Sequence, residues 1–443
     1  MTNPRSRDVF QVPFGRGIRS FELPLGVTGT EIATSPADRL ADPARVAHES
    51  VLRPVAGPRL RELAAGARSV CIAVTDATRA CPDHLLVPPM LDEVEAAGVP
   101  PEAVTILVAV GTHRASTDAE KREKLGDAIV ARYKVVDHDA SDDANLVAVM
   151  DGPGGIPFRI NRIAAEADIL LSTGLVEPHQ YAGFSGGGKT VAIGCGDDAT
   201  ISYTHGPAML DQPGVRLARL AGNPFQDAVR IVAKRANLAF VGNAVLDDGG
   251  RVVAIAYGPP EAVQDSLAEL AAPLFTAPIP AQVDIAVAGV GYPKDANLYQ
   301  ASRAASYLQF APTPVVRPGG AIVIPAECPE GAGEGDGERR FLAAMSLSGG
   351  PQAVIERVRR DGIRPGEQRA YIMALVLRDV SVIVAGILDP DTARAVGFVP
   401  AATIEEGLAL AAELAGTPAE ALVVPHALLT LPVVEAAPLV EIG

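Results

Sequence analysis

Short apolar, β-branched runs recur along the chain, each ending in a polar turn, with Ala-rich stretches between them. SVCIAVTD (69–76), VTILVAVGTH (104–113) and ADILLSTGLVEPH (167–179) all have this form. An unbroken apolar run without alternation is the pattern of a strand buried on both faces. HLLVPPMLDEVEAAGV (84–99), between the first two runs, predicts a crossover helix, and βαβ alternation implies a parallel sheet. A second series follows TAPIPAQ (276–282), which reads as the junction between domains: VDIAVAGVGYPKD (283–295), AIVIPAEC (321–328), VSVIVAGIL (380–388) and ALVVPH (421–426). ERRFLAAMSL (338–347) and TIEEGLALAAELAG (403–416) predict helices between these strands, and the Gly-rich, acidic CPEGAGEGDGERR (328–340) reads as a mobile loop. The expectation is an α/β protein of two α/β domains with parallel-rich sheets, residues 1–275 and 276–443. The last residues are left with two placements, on the second domain or packed back on the first.

Composition narrows the function classes. With 48% hydrophobic and 21% charged residues in 443 positions, the chain can bury a sizeable core without staples and is not of disordered type. A net charge of −15 with no basic stripe argues against nucleic acid as a partner. Cys71, Cys81, Cys195 and Cys328 are far apart and form no CxxC pair, which disfavours a zinc knuckle or disulfide framework and fits a reducing compartment. No secretory h-region is visible, and the longest apolar runs are too short to span a bilayer. A cytoplasmic protein without a membrane partner is expected.

In open α/β sheets, ligands bind beyond the carboxyl ends of the strands. That rule makes Asp76, His113 and His179 candidates for one site. EPHQYAGFSGGGKTVAIGCG (177–196) carries the densest chemistry. Residues 183–190 match the P-loop pattern GxxxxGK[ST], in which backbone amides cradle phosphates and the Lys reaches them, so a nucleotide-binding NTPase is one reading. Against it, Glu177 to Ala182 separate the apolar run from Gly183, and no strand ending in a magnesium-binding Asp follows. A Gly-rich turn that binds nothing is a second reading. A third holds Lys189 rigidly beside an anionic ligand, because glycines allow close backbone approach. His205, in SYTHGPAM, lies just downstream. His113, His179 and His205 are suited to proton transfer near neutral pH or to metal ligation. Asp76 accepts from a ribose hydroxyl or caps the next helix, and Arg79 suits a carboxylate or phosphate. In GYPKDANLYQASRA (291–304), Tyr299, Gln300 and Arg303 suit an oxygen-rich anion, or else form an exposed amphipathic helix. No GxGxxG follows any predicted strand, which disfavours an ordinary NAD-dependent dehydrogenase.

TDATR, GTHR, EPHQYAGFSGGGK, THG and GYPKDANLYQ occur in the order found in the lactate racemase family, and the sequence resembles that family over roughly residues 15–440. The resemblance implies two α/β domains with an interdomain active-site cleft. It also implies an isomerase that inverts the C2 stereocentre of a 2-hydroxy acid through a 2-keto acid intermediate, by reversible hydride transfer to a lysine-tethered nickel pincer nucleotide. By resemblance, Lys189 forms the covalent link and Gly186, Gly187 and Gly188 line the cofactor. His205 ligates Ni(II), for which square-planar geometry is usual. His113 and His179 form the acid/base pair, Asp76 and Arg79 line cofactor and substrate, and Tyr299, Gln300 and Arg303 face the substrate. The enzymes that build the cofactor become implied partners. Two departures from lactate-specific members stand out. Arg303 replaces a lysine in the YQ-x-x-K stretch, and the chain has no Trp; the corresponding neighbourhood reads PGEQRAYIM (365–373). Both changes imply a substrate larger or more polar than lactate, such as a dicarboxylic hydroxy acid or a sugar acid. A carrier that holds the cofactor without turnover is the remaining alternative.

Overall fold

The structure, a computed structural model, describes residues 9–35, 37–152, 155, 157–247, 249–346, 349–363 and 367–435. The chain forms two compact α/β units, one from residues 37–274 and the other from 9–35 with 275–435. Among the described residues no helix is long and apolar enough to cross a membrane.

The 37–274 unit is built on a six-stranded sheet in the order Val252–Gly258, Leu238–Leu246, Ile169–Leu175, Val70–Thr75, Val104–Ala109, Lys134–Asp137. All neighbours are parallel except the pair at the Val252–Gly258 edge. Five of the six residues of VCIAVT (70–75) are buried, as expected where helices cover both faces. The predicted crossover helix spans Asp83–Ala96 and buries Leu86, Val87, Met90, Leu91 and Val94. That spacing places them on one helical stripe, and they join the core formed by Ile72, Val74, Ile106 and Phe240. Strand order reverses between Val70–Thr75 and Ile169–Leu175, which are direct neighbours. Connections leave such a pair in opposite directions, so a crevice opens beyond their carboxyl ends. Asp76 follows the first strand, and the 176–189 segment follows the second.

The other unit has a six-stranded sheet, all parallel, in the order Val399–Ala401, Ser381–Ala385, Val316–Pro325, Val283–Ala288, Ala419–Val424, Val27–Glu31. Residues 9–35 therefore belong with the second half of the chain, not with the first as the sequence reading places them. Val27–Glu31 gains its hydrogen bonds from Ala419–Val424, at the far end of the chain. The stretch read as an interdomain junction is likewise a strand, Thr276–Ile279, paired with Leu431–Val434. The possible return of the last residues concerns positions 436–443, which lie outside the described residues. In the loop at 328–340, helix begins at Asp336. Here too the strand order reverses, between Val283–Ala288 and Ala419–Val424, and the 289–303 segment follows that reversal.

Candidate active site

The Thr75–Arg79 turn is fixed from below. Asp83, fully buried, receives hydrogen bonds from Thr75 Oγ1 at 2.9 Å and from Thr173 Oγ1, so one carboxylate ties together the two strands at the reversal point. Lys124 Nζ lies 2.7 Å from Asp83 Oδ2 and donates to Thr75 Oγ1 and to the carbonyls of Arg79 and Cys81. Removing one partner of a buried ion pair leaves an uncompensated charge. Lys124→Met is therefore expected to cost about 3–5 kcal/mol in urea unfolding, with the Arg79 turn loosened.

Above this base, Asp76 is 5% exposed. Its carboxylate lies 2.6 Å from His113 Nδ1 and accepts from Thr78 Oγ1 at 2.7 Å. It does not cap the following helix, whose N-cap is Pro82. Burial by itself would raise the Asp76 pKa, but the His113 and Thr78 hydrogen bonds and the charges of His113 and Arg79 hold it below the ordinary carboxylate value. A carboxylate can only accept, so Nδ1 of His113 carries the proton and the neutral ring presents a lone pair at Nε2. The Arg79 side chain is exposed and remains available to an anion.

The Gly-rich segment folds differently from a phosphate loop. After Leu175 the chain makes a small hairpin, Pro178–His179 against Gly183–Phe184. Ser185 then returns to the strand end, its amide bonding the Glu177 carbonyl and its hydroxyl the Leu175 carbonyl. Gly183 has φ +75°, and a Cβ there would lie 1.9 Å from the Arg219 carbonyl oxygen. At Gly186, Gly187 and Gly188 a Cβ would run into Val176, Gln264 and Ala233 respectively, so all three are small because protein packs against them. The Gly187 amide donates to Asn243 Oδ1 at 2.8 Å, and Gln264, held by Gln226, caps the Ser185 carbonyl. Thr190 donates to the Thr173 carbonyl at 2.7 Å, and the ensuing helix is one turn, Lys189–Ala192. An amide and a hydroxyl that a P-loop would turn toward phosphate and Mg²⁺ are committed to protein, so the NTPase reading is not supported.

This scaffold leaves Lys189 at the end of a rigid turn. Burial, then the nearby Arg79 charge, push its ammonium down to about 7. Half-neutral at physiological pH, the amine is a competent nucleophile. The same depression has a thermodynamic sign. Between about 7 and the ordinary 10.5 the unfolded chain binds a proton that the folded chain has lost, so the cost is full below that window and disappears above it. Lys189→Met is expected to raise the melting temperature of the cofactor-free protein by a few degrees at pH 7. The gain should shrink steadily toward pH 10.5, as a pair of thermal scans would show.

His205 ends the Asp198–Thr204 helix as its C-cap. Its Nδ1 lies 3.0 Å from both the Ile201 carbonyl and the Thr204 hydroxyl. The carbonyl can only accept, so the proton sits on Nδ1 and Nε2 bears the lone pair. Burial, then the charge of Lys189, push the ring down to about 4, so it is neutral at pH 7, as a metal-ligating imidazole must be. No group of three or more His, Cys, Asp or Glu side chains able to hold a metal occurs among the described residues. His179 is arranged in the opposite sense to His113: its Nδ1 accepts the amides of Ala182 at 3.1 Å and Tyr181 at 3.3 Å, which puts the neutral ring's proton on Nε2. Tyr181 and Phe225 pack edge-on or tilted against both His179 and His205. Asp76, Arg79, His113, Lys189 and His205 interact electrostatically, and these rings connect His179 to them. Six of the sequence-predicted residues thus meet in one unit. Tyr181, Phe225, Asp83, Lys124, Asn243 and Gln264 complete the site and were not singled out from the sequence.

Tyr299, Gln300 and Arg303 belong to the other unit, on the turn and helix after Val283–Ala288. Asn297 caps that turn through Gln300 N. Arg303 Nη2 donates to Tyr307 OH at 2.9 Å, and Nη1 reaches Gln300 Oε1 at 3.4 Å. In the neighbourhood 365–373, Pro365 and Gly366 lie outside the described residues. Arg369 is buried against this same helix, with Nη1 donating to Ser306 Oγ at 2.9 Å and the guanidinium 5.7 Å from the Tyr299 ring centroid.

Such a fold and site define a class: an α/β enzyme with a carboxylate-backed histidine, a second histidine and a desolvated lysine converging at a strand-order reversal. Comparisons with known proteins narrow the class. The family model "Lactate racemase N-terminal domain" matches residues 14–218, and "Lactate racemase C-terminal domain" matches 277–431. The chain is 30% identical over 424 residues to a lactate racemase of Thermoanaerobacterium thermosaccharolyticum, covering 94% of this chain and 97% of that one. It is 32% identical over 386 residues to a lactate racemase of Lactiplantibacillus plantarum, covering 86% and 88%. The solved lactate racemase apoprotein from T. thermosaccharolyticum superposes with a TM-score of 0.81 at 28% identity, over 96% of this chain and all of that one. A Thermotoga maritima protein, 19% identical with a TM-score of 0.64 over 89% of this chain and 99% of that one, shares the fold. The chain belongs to the lactate racemase family, a family of isomerases.

Proposed function

We propose that this protein inverts the C2 stereocentre of a 2-hydroxy acid by reversible hydride transfer, with a nickel pincer nucleotide held on Lys189. The observation that carries the reading is the desolvated Lys189 amine, fixed by the glycine turn and electrostatically coupled to Asp76, Arg79 and His205. The residues present fit the group: Lys189 offers a partly neutral amine for covalent attachment, and His205 offers one neutral Nε2 to a metal whose other ligands the cofactor brings. When bound, the group supplies a hydride acceptor.

The chain's own residues then have defined tasks. The C2–H of a 2-hydroxy acid is too weakly acidic to leave easily as a proton, and it leaves as hydride only if the hydroxyl gives up its proton. His113 Nε2 is set to take that proton, with Asp76 holding Nδ1–H and stabilising the imidazolium. Arg79 holds the substrate carboxylate bidentately. His179 presents Nε2–H, the form that hydrogen-bonds a carbonyl or alkoxide oxygen on its own side. To take a proton there it must first release the two backbone amides. For a pair of enantiomers the equilibrium constant is one, so this asymmetry appears in kcat and KM separately and cancels in kcat/KM. Tyr299, Gln300 and Arg303 are assigned to the substrate, and the cofactor is supplied by dedicated biosynthetic enzymes in the cytoplasm. Chiral chromatography of a 2-hydroxy acid panel, using protein co-produced with those enzymes, tests the reading. Inversion of at least one member, absent without cofactor, is expected; a loaded enzyme that inverts none would contradict it.

A further inference from the structure

Arg369 is 9% exposed. Its Nη1 bonds Ser306 Oγ and its face covers Tyr299, but its Nε has no hydrogen-bond partner among the described residues. No carboxylate among the described residues pairs with it. Ser306 Oγ in turn donates to the Arg303 carbonyl. Tyr299, Arg303 and Ser306 stand at i, i+4 and i+7, one face of the turn and helix on which Arg369 rests. Lys294 is near enough that partial desolvation and the Arg303 charge both depress its ammonium, and it too forms no ion pair among the described residues. In a chain of net charge −15, the turn and helix 298–309 thus carry Arg303, bonded to Gln300 and Tyr307, and receive Arg369 at Ser306 and Tyr299, and Lys294 lies within electrostatic reach of Arg303. A buried guanidinium without a counter-charge is costly, and an incoming carboxylate removes the cost. One carboxylate balances one guanidinium, so a monoanion at Arg303 still leaves Arg369 uncompensated.

We propose that Arg369, with Arg303 and Lys294, forms a receptor for a second carboxylate, so that the substrate is a 2-hydroxy dicarboxylic acid. This rests on the assignment of Tyr299, Gln300 and Arg303 to the substrate side of the racemase. The planar fork of Arg369 matches a carboxylate bidentately, and its burial makes that pairing the source of selectivity.

Two measurements test it together. In the cofactor-loaded enzyme, kcat/KM for a four- or five-carbon 2-hydroxy dicarboxylate is expected to exceed that for the 2-hydroxy monocarboxylate of equal length by about 100-fold, the scale of a desolvated charge pair. In Arg369→Gln that ratio should fall by a similar factor, mainly through KM, and in Arg369→Lys part of it should return. In the cofactor-free protein, a calorimetric titration with a dicarboxylate lacking the hydroxyl should show binding in wild type that weakens in Arg369→Gln and partly recovers in Arg369→Lys. Should Arg369→Gln fail to fold, Lys294→Met is expected to show the same loss to a smaller degree. Equal or better turnover of monocarboxylates, with dicarboxylate binding indifferent to Arg369, overturns the proposal and leaves the racemase reading intact. Arg369-dependent dicarboxylate binding without inversion of any 2-hydroxy acid keeps the anion site and removes the racemase reading.

Discussion

Lys189→Arg, produced alongside the cofactor-synthesising enzymes, is expected to show no mass adduct and no racemisation, a loss of at least about 10⁴-fold. Arginine keeps the positive charge and much of the reach but stays protonated and cannot act as an amine nucleophile. In wild type the amine is pushed down to about 7 by burial and by Arg79, so the substitution separates covalent attachment from charge. Intact-mass spectrometry on the two proteins reads the first outcome directly. An adduct retained by the variant would remove Lys189 from the attachment role, whatever happened to turnover.

His113→Ala and Asp76→Asn are expected to lower kcat by about 10³- to 10⁴-fold while the adduct mass stays unchanged. In the proposed reaction His113 works through the tautomer that Asp76 imposes across 2.6 Å. Asparagine can rotate its amide to donate to Nδ1, which leaves the proton on Nε2 where the substrate hydroxyl must deliver its own. Because the two residues act as one unit, the double variant should lose little more than either single one. An Asp76→Asn enzyme within about threefold of wild type would dissolve the pairing.

The parallel sheets were legible because their strands are unbroken apolar runs, and VCIAVT (70–75) needs no partner to be recognised. Val27–Glu31 was not. It is an edge strand with mostly exposed side chains, and its hydrogen bonds come from residues 419–423, beyond the reach of any local pattern. Thr276–Ile279 read as a junction for a similar reason, since Pro278 and its short length hide a strand that exists only by pairing with Leu431–Val434. At the site, the histidines and Lys189 stood out by type and by position after strands. Lys124 and Asp83 did not, because polar residues become a buried pair only when the Asp83–Ala96 and Asp118–Leu125 helices meet. The glycine run was ambiguous because phosphate loops and tightly packed turns both need positive φ and absent side chains. Asn243 and Gln264, far along the chain, decide between them, whereas Tyr181, which packs on His179 and His205, lies within the EPHQYAGF stretch itself.

In the proposed reaction, hydrogen leaves C2 as hydride and returns to the same carbon. The direct measurement is racemisation of a single enantiomer of a 2-deuterated substrate in ordinary water, with the inverted product analysed for label. Retention of deuterium at C2, with no solvent hydrogen incorporated there, is the predicted result. Progressive replacement of the label by solvent hydrogen would mean that C2 loses a proton to a base, and the hydride account would be wrong.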